Sequence, residues 1–254
     1  MPLREHLNEL RRTLIRCALV LVVLIFVGIA FDDALLRFMC QPWFKVRAAL
    51  SPPNGPRDPG PLSYISAGEG MMSALRVSFL FSVAVGAPFF IWELWRFIGV
   101  GLLPKERRAV RMAFLPGLLL FLVGLWFGFE ILLPVGLQAM VNYISSDIAV
   151  SNVTLGNYLQ LVVSMTLIMG AVFELPLIMW AVVRAGLVSR ATLGKSRRAV
   201  IVGAAVFAAV ITPTTDAINM LLVFFPLIVL FELGLILCRM AESKRDRLDE
   251  GQLG

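Results

Sequence analysis

Four apolar runs, each about the length needed to cross a bilayer, constrain this chain more than any other feature: residues 13–31, 73–95, 112–133 and 158–183. A helix rises 1.5 Å per residue, so about 20 apolar residues span a hydrocarbon core of roughly 30 Å. The chain is 59% hydrophobic and only 16% charged, which is more apolar surface than one water-soluble core encloses. Lipid offers no hydrogen bonds to an exposed backbone, so such runs specify helices. Two shorter runs follow. One covers 199–211; the other is apolar over 217–231 and extends as a span to about 237. Their apolar parts reach only about 20 and 22 Å as helices. The turn sequence Thr212-Pro213-Thr214-Thr215-Asp216 separates them, favouring two short spans in a locally thinned bilayer over one broken helix. The expected architecture is an all-α membrane protein of six transmembrane helices, the last two short, with residues 1–254 as one polytopic domain.

The distribution of Lys and Arg orients the spans, because cytoplasmic segments carry the excess. Arg4, Arg11, Arg12 and Arg16 precede or open the first span; Arg96, Lys105, Arg107, Arg108 and Arg111 lie between the second and third. Arg184, Arg190, Lys195, Arg197 and Arg198 lie between the fourth and fifth, and Arg239, Lys244, Arg245 and Arg247 lie in the tail 239–254. On the alternate side, 134–157 and 212–216 carry none, and the long first loop carries four, Arg37, Lys45, Arg47 and Arg57. Both termini are therefore expected in the cytoplasm, a parity that requires an even number of spans. The loop 32–72 faces the other way and contains Pro42, Pro52, Pro53, Pro56, Pro59 and Pro61. Its middle is expected to be an irregular periplasmic cap, flanked by short helices. Ala30-Phe31-Asp32 is no small-residue cleavage site, so the first run reads as a retained span in a prokaryotic protein rather than a leader.

The same residues exclude several functions. His6 is the only histidine, and Cys17, Cys40 and Cys238 have no metal-ligand spacing, so neither a metal site nor a cofactor is expected. No span holds a histidine or an aspartate pair, which disfavours an intramembrane protease or any other enzyme. Lys195-Ser196 lacks the glycine and strand of a phosphate loop, and Asn152-Val153-Thr154 is a chance sequon. The net charge of +6 follows from membrane topology and implies no nucleic-acid partner.

Ionisable residues inside spans are costly and mark functional candidates: Arg76, Glu93, Glu130, Glu174 and Glu232. Arg76 and Glu130 lie near outer ends, and Glu93 and Glu232 near inner ends, where their side chains are expected to snorkel to water. Glu174 is deep in its span and precedes Pro176, whose ring leaves the Val172 carbonyl without its helical donor. A carboxyl beside a freed carbonyl makes a polar notch suited to a partner helix. Pro88, Pro116 and Pro226 add kinks, so the bundle is expected to be bent and concave.

Six short motifs occur in order along these spans: His6-Leu7-x-Glu9-Leu10-Arg11, Pro42, Trp95-x-Phe97-Ile98, Glu106-Arg107-Arg108, Phe173-Glu174-Leu175-Pro176, and Thr212-Pro213 leading to Asp216. Together they resemble the TatC family of the twin-arginine protein export system, from Pro2 to about Arg239. The sequence departs from that pattern at Val100, at Glu93 and Glu130, and in the extra residue of Thr214-Thr215.

The resemblance implies a noncatalytic receptor in the bacterial inner membrane. It would bind Arg-Arg signal peptides of folded precursors and assemble, in lipid, into an oligomeric complex with TatA and TatB for export driven by proton-motive force. It assigns signal-peptide binding to Glu9, Arg11, Phe97, Glu106 and Arg107, with Glu106 as the twin-arginine contact and Phe97 near the peptide's apolar part. Glu174 and Pro176 would form the intramembrane partner site, and Pro42 and Asp216 would shape the periplasmic cap and loop. Physical chemistry agrees on the first point: two adjacent guanidinium groups are best read by carboxylates. The alternative is an ion-coupled small-molecule transporter using Glu174 as a proton site.

Overall fold

Backbone amides in lipid are satisfied only within a helix, and the computed structural model follows that constraint along the residues it describes, 3–50, 60–100, 107–142, 153–185, 188–211 and 217–250. They are all-helical apart from short connections. The chain begins with α1 (Leu3–Ala30), then two short helices, α2 (Asp32–Met39) and α3 (Gln41–Leu50), then the long α4 (Ala67–Val100). Next, α5 (Arg107–Phe127) passes through a wide π turn, Gly128–Leu132, into α6 (Leu133–Asn142). A second composite helix consists of α7 (Leu155–Phe173) and α8 (Leu175–Arg184), broken at Glu174. The short α9 (Arg190–Lys195), α10 (Arg197–Ile211) and α11 (Ala217–Glu250) complete the chain.

Among the described residues five stretches are long and apolar enough to cross a membrane: Leu7–Ala30, Gly68–Gly99, Met112–Val141, Leu155–Arg184 and Met220–Met240. The fifth apolar run of the sequence becomes α10, whose 15 residues extend about 22 Å. Several helices outrun their apolar runs: α4 alone has 34 residues. The reason is that polar ends continue the hydrogen-bond ladder into the headgroup region, where hydropathy gives no signal.

The start of α1, the end of α4 and the start of α5 mark the basic face; α2 and α3 mark the opposite one, the cap face. On the cap face the described first flank of the loop forms α2 and α3. Pro42 is buried in the first turn of α3, where a missing N–H costs nothing. Met39, Trp43 and Val46 bury against Val77, Leu133, Leu137, Tyr158 and Leu159, tying the cap to α4, α6 and α7. The Tyr158 hydroxyl donates to the Met39 carbonyl at 2.6 Å, and Trp43 meets the Tyr158 ring edge-on at 5.9 Å. The end of the loop is held by backbone bonds from Ser63 N–H to Val153 O and from Leu155 N–H to Ser63 O. Thr154 caps α7, its side chain accepting the Asn157 N–H. The proline-rich middle of the loop, Glu106, and the turn from Thr212 to Asp216 lie outside the described residues.

In the bundle's centre, α5 and α7 approach backbone to backbone. A Cβ on Gly124 would fall 2.6 Å from the Met169 carbonyl oxygen and 2.9 Å from the Gly170 Cα, so only glycine fits. Close approach through small residues is how helices gain packing in lipid, where no hydrophobic force joins them. A second cluster, from Met165, Met169, Val172 and Phe173 to Ala204, Ala208, Val223 and Leu227, joins α7 to α10 and α11. By contrast, α1 packs on α4 and leaves Leu19, Val23 and Phe26 on the outside.

Candidate functional site

Two polar sites lie at different depths, joined by the last turns of α4. The shallower one is at the basic face. Glu93 is buried, and its carboxylate accepts from Arg16 Nη1 on α1, at 3.3 Å to Oε1 and 3.4 Å to Oε2, and from Arg96 Nη1 at 3.0 Å to Oε1. Arg96 uses its other terminal nitrogen, Nη2, to reach Glu9 Oε1 at 3.2 Å. The order is thus Glu9, Arg96, Glu93, Arg16: two carboxylates and two guanidinium groups alternating in sign. The helical register explains the inner pair, since residues 93 and 96 share a face of α4. Packing of α1 on α4 supplies the other two members.

This arrangement corrects the expectation that Glu93 snorkels to water. Its side chain is only 4% exposed, and it holds two arginines instead. Glu9, at 24% exposure, is the accessible carboxylate of the group. Arg11 is exposed on α1, two residues after Glu9, and Phe97 is half-buried on α4 next to Arg96 in sequence. Arg107 opens α5. Glu9, Arg11 and Phe97 thus lie toward the end of the molecule where α4 ends and α5 begins, while Glu106 lies outside the described residues.

The deeper site surrounds Glu174. Pro176 cannot donate to Val172, and the helix tightens there: Glu174 N–H donates to Ala171 O at 3.2 Å, and Leu177 N–H to Glu174 O at 3.1 Å. The break turns the Glu174 side chain into the bundle, 4% exposed. Neither carboxyl oxygen finds a hydrogen-bond partner among the described residues, and the same holds for the buried indole Nε1 of Trp95. Gly117 marks where these groups converge. A Cβ there would sit 2.8 Å from Trp95 Nε1 and 3.4 Å from each Glu174 oxygen. One donor and two acceptors therefore converge on Gly117, where the methyl group of an alanine would crowd the indole nitrogen. Trp95 is held by Trp180, edge-on at 6.4 Å, and Trp180 in turn lies under the Arg184 guanidinium at 5.4 Å.

The other intramembrane candidates are satisfied structurally. Arg76 donates to the Gly156 carbonyl at 2.6 Å and is half-buried, rather than reaching to water as expected. The opposite edge of Gly156 donates its N–H to Glu69 at 2.6 Å. Glu130 pairs with Lys45 of the cap at 2.7 Å, and Glu232 with Arg197 at 2.8 Å. Among the described residues no group of three or more potential metal ligands occurs.

Sequence reasoning did not single out Arg16, Arg96, Trp95 or Gly117 as site members. The Glu93-x-x-Arg96 spacing was the available signal for one pair. Nothing local connects Arg16 with a residue 77 positions away, or a glycine in one apolar run with an indole at the end of another.

Comparison with known proteins supplies the family. Residues 5–226 match the family described as Sec-independent protein translocase protein (TatC). Among proteins so named, that of Desulforapulum autotrophicum is 32% identical over 98% of this chain and 88% of its own length. That of Carboxydothermus hydrogenoformans is 25% identical over 96% of this chain and 95% of its own. A crystal structure of the twin-arginine translocase receptor TatC superposes with a TM-score of 0.77 at 25% identity, covering 93% of this chain and 99% of that one. A second, of the receptor in DDM, gives 0.78 at 26% identity, covering 91% and 98%. The chain belongs to the TatC family of Sec-independent protein translocase proteins and is, with its several apolar helices, a multi-pass inner-membrane component of a protein translocase.

Proposed function

We propose that this chain is the receptor and core subunit of a twin-arginine translocase, binding Arg-Arg signal peptides of folded precursors at a cytoplasmic basic face and assembling with TatA and TatB. In this reading the chain crosses the inner membrane six times as a concave bundle, α10 and α11 being the short pair, with both termini in the cytoplasm. Glu106 takes the paired arginines with support from Glu9, flanked by Arg11 and Arg107, and Phe97 lies along the peptide's apolar part. The subunit is noncatalytic, and proton-motive force drives export through the assembled complex.

The observation that carries this reading is the state of Glu9: a half-buried carboxylate at the basic face, bound to a guanidinium through one contact of 3.2 Å. The electrostatic and geometric match of that carboxylate to an arginine is already expressed in the resting chain. Glu174 supports the second half of the reading. A carboxyl group buried without a partner costs about 1–3 kcal/mol, and a donor from a single-span partner or from the inserted peptide would relieve it. Pro176 keeps that carboxyl turned inward, while Pro42 and Asp216 shape the periplasmic cap and the last loop.

The test is an export assay in cells that rely on this chain. Changing Arg-Arg to Lys-Lys in a reporter's signal peptide should abolish export, and Glu106→Ala should weaken precursor cross-linking without lowering the abundance of the protein. Unchanged export of the Lys-Lys reporter would overturn the receptor reading in favour of an ion-coupled small-molecule transporter, for which the lone Glu174 carboxyl would be the proton site.

A further inference from the structure

Arg96 is arranged as a placeholder. We propose that in the resting chain Arg96 occupies Glu9 in the manner of a signal-peptide arginine, that the arriving peptide displaces it, and that Glu93 retains the displaced guanidinium. This inference rests on the receptor reading above and adds to it a competitor built into the site.

The geometry separates the two bonds of Arg96. Nη1 goes to Glu93 at 3.0 Å and Nη2 to Glu9 at 3.2 Å, so either can be released without breaking the other. The two acceptors differ in access: Glu93 is 4% exposed, Glu9 24%. Exchange with an outside cation is therefore open to Glu9 and closed to Glu93. Arg96 meets Glu9 through one nitrogen and one oxygen, whereas an incoming arginine is free to approach that carboxylate with both prongs of its fork, the stronger geometry. Lysine, a compact point charge, has no such advantage over the guanidinium already in place. After exchange Arg96 is not stranded, because Glu93 still holds it, together with Arg16. The cluster is electrically neutral before the exchange, with two positive and two negative groups, which limits the attraction of stray cations. The consequence is that Arg96 sets a threshold which arginine passes and lysine does not.

The experiment uses membranes carrying the full chain with its translocase partners, and a fluorescent Arg-Arg signal peptide beside its Lys-Lys counterpart. Arg96→Gln should tighten capture of the Arg-Arg peptide about three- to tenfold, as expected when an exposed charged competitor is removed. Capture of the Lys-Lys peptide should rise by more, narrowing discrimination. Glu93→Gln should do the opposite, weakening Arg-Arg capture, because Arg96 then depends on Glu9. In the Arg96→Gln background, Glu93→Gln should have no further effect on binding, the signature of coupled residues. Arg96→Lys, which keeps a charge but loses the fork, should tighten Arg-Arg capture to an intermediate degree and decides the matter if Arg96→Gln lowers abundance.

Unchanged or weaker Arg-Arg capture by whichever Arg96 variant folds would overturn the proposal. So would a Glu93→Gln effect that simply adds to that of Arg96→Gln. These failures differ from failure of the receptor reading: if the unaltered chain does not distinguish Arg-Arg from Lys-Lys, the receptor reading itself falls.

Discussion

Glu93 and Glu174 are 3% and 4% exposed, one within α4 and the other at the break between α7 and α8, and their surroundings are opposite. Glu93 accepts from two guanidinium groups, while neither oxygen of Glu174 has a partner among the described residues. A buried carboxylate that is paired contributes to holding helices together; one that is unpaired costs free energy that the rest of the fold offsets. The contrast separates a residue that serves the architecture and its charge balance from one that serves an encounter. Neither burial nor residue type distinguishes them. Only the inventory of hydrogen-bond partners does.

That contrast can be broken at several points. The largest effect is expected at the crossing of α5 and α7. Gly124→Leu would drive a side chain into the Met169 carbonyl and the Gly170 Cα, costing about 3 kcal/mol or more through overpacking. Purified protein should lose its thermal transition or fail to accumulate; normal abundance and stability would mean that α5 and α7 separate without cost.

Glu93→Ala comes next. It removes the acceptor of three hydrogen bonds from Arg16 and Arg96, and a loss of about 1.5–3 kcal/mol is expected in thermal unfolding in detergent. Glu174→Ala should behave differently. Its stability should be unchanged or raised by about 1 kcal/mol, because an unsatisfied buried group is deleted, while co-purification of partner subunits falls sharply. Glu174→Gln, which keeps hydrogen-bonding capacity, should retain more assembly than alanine. If Glu174→Ala destabilised the isolated chain as much as Glu93→Ala, the distinction drawn above would collapse. Equal loss of assembly in alanine and glutamine variants would assign the effect to charge or proton rather than to hydrogen bonding. The smallest effect belongs to Lys45→Ala. Its ion pair with Glu130 is exposed on the lysine side, and less than about 1 kcal/mol should be lost. A larger loss would show that the cap depends on this pair rather than on Trp43 and Tyr158.

The sequence-level reading was strongest where physics acts locally. Runs of apolar residues specify helices because lipid permits little else, and the all-helical fold follows from that alone. Pro176 announces the break at Glu174, since a proline removes a particular donor at a particular carbonyl. Long-range geometry was not legible. Arg16 meets Glu93 because α1 packs on α4, and no periodicity within either run encodes their register. Gly117 is one glycine among 20 in the chain; its meaning depends on an indole and a carboxyl brought from two other helices. The prolines of the loop 32–72 pointed to an irregular middle with short flanking helices; that middle lies outside the described residues, and on the flank Pro42 sits where a helix tolerates proline best, in the first turn of α3.

The wide turn at Gly128–Leu132 rephases a helix without bending the chain away from its neighbours. Each residue advances an α-helix by about 100°, so an inserted residue rotates everything downstream by that angle relative to everything upstream. Before the turn, Leu125 is directed at Gly170 of α7; after it, Leu133 and Leu137 are directed into the cluster beneath Trp43 and Val46. One continuous rod thereby presents two differently aimed apolar stripes, one to the middle of the bundle and one to the cap. Glu130, at the centre of the turn, is presented to Lys45 at the seam between them.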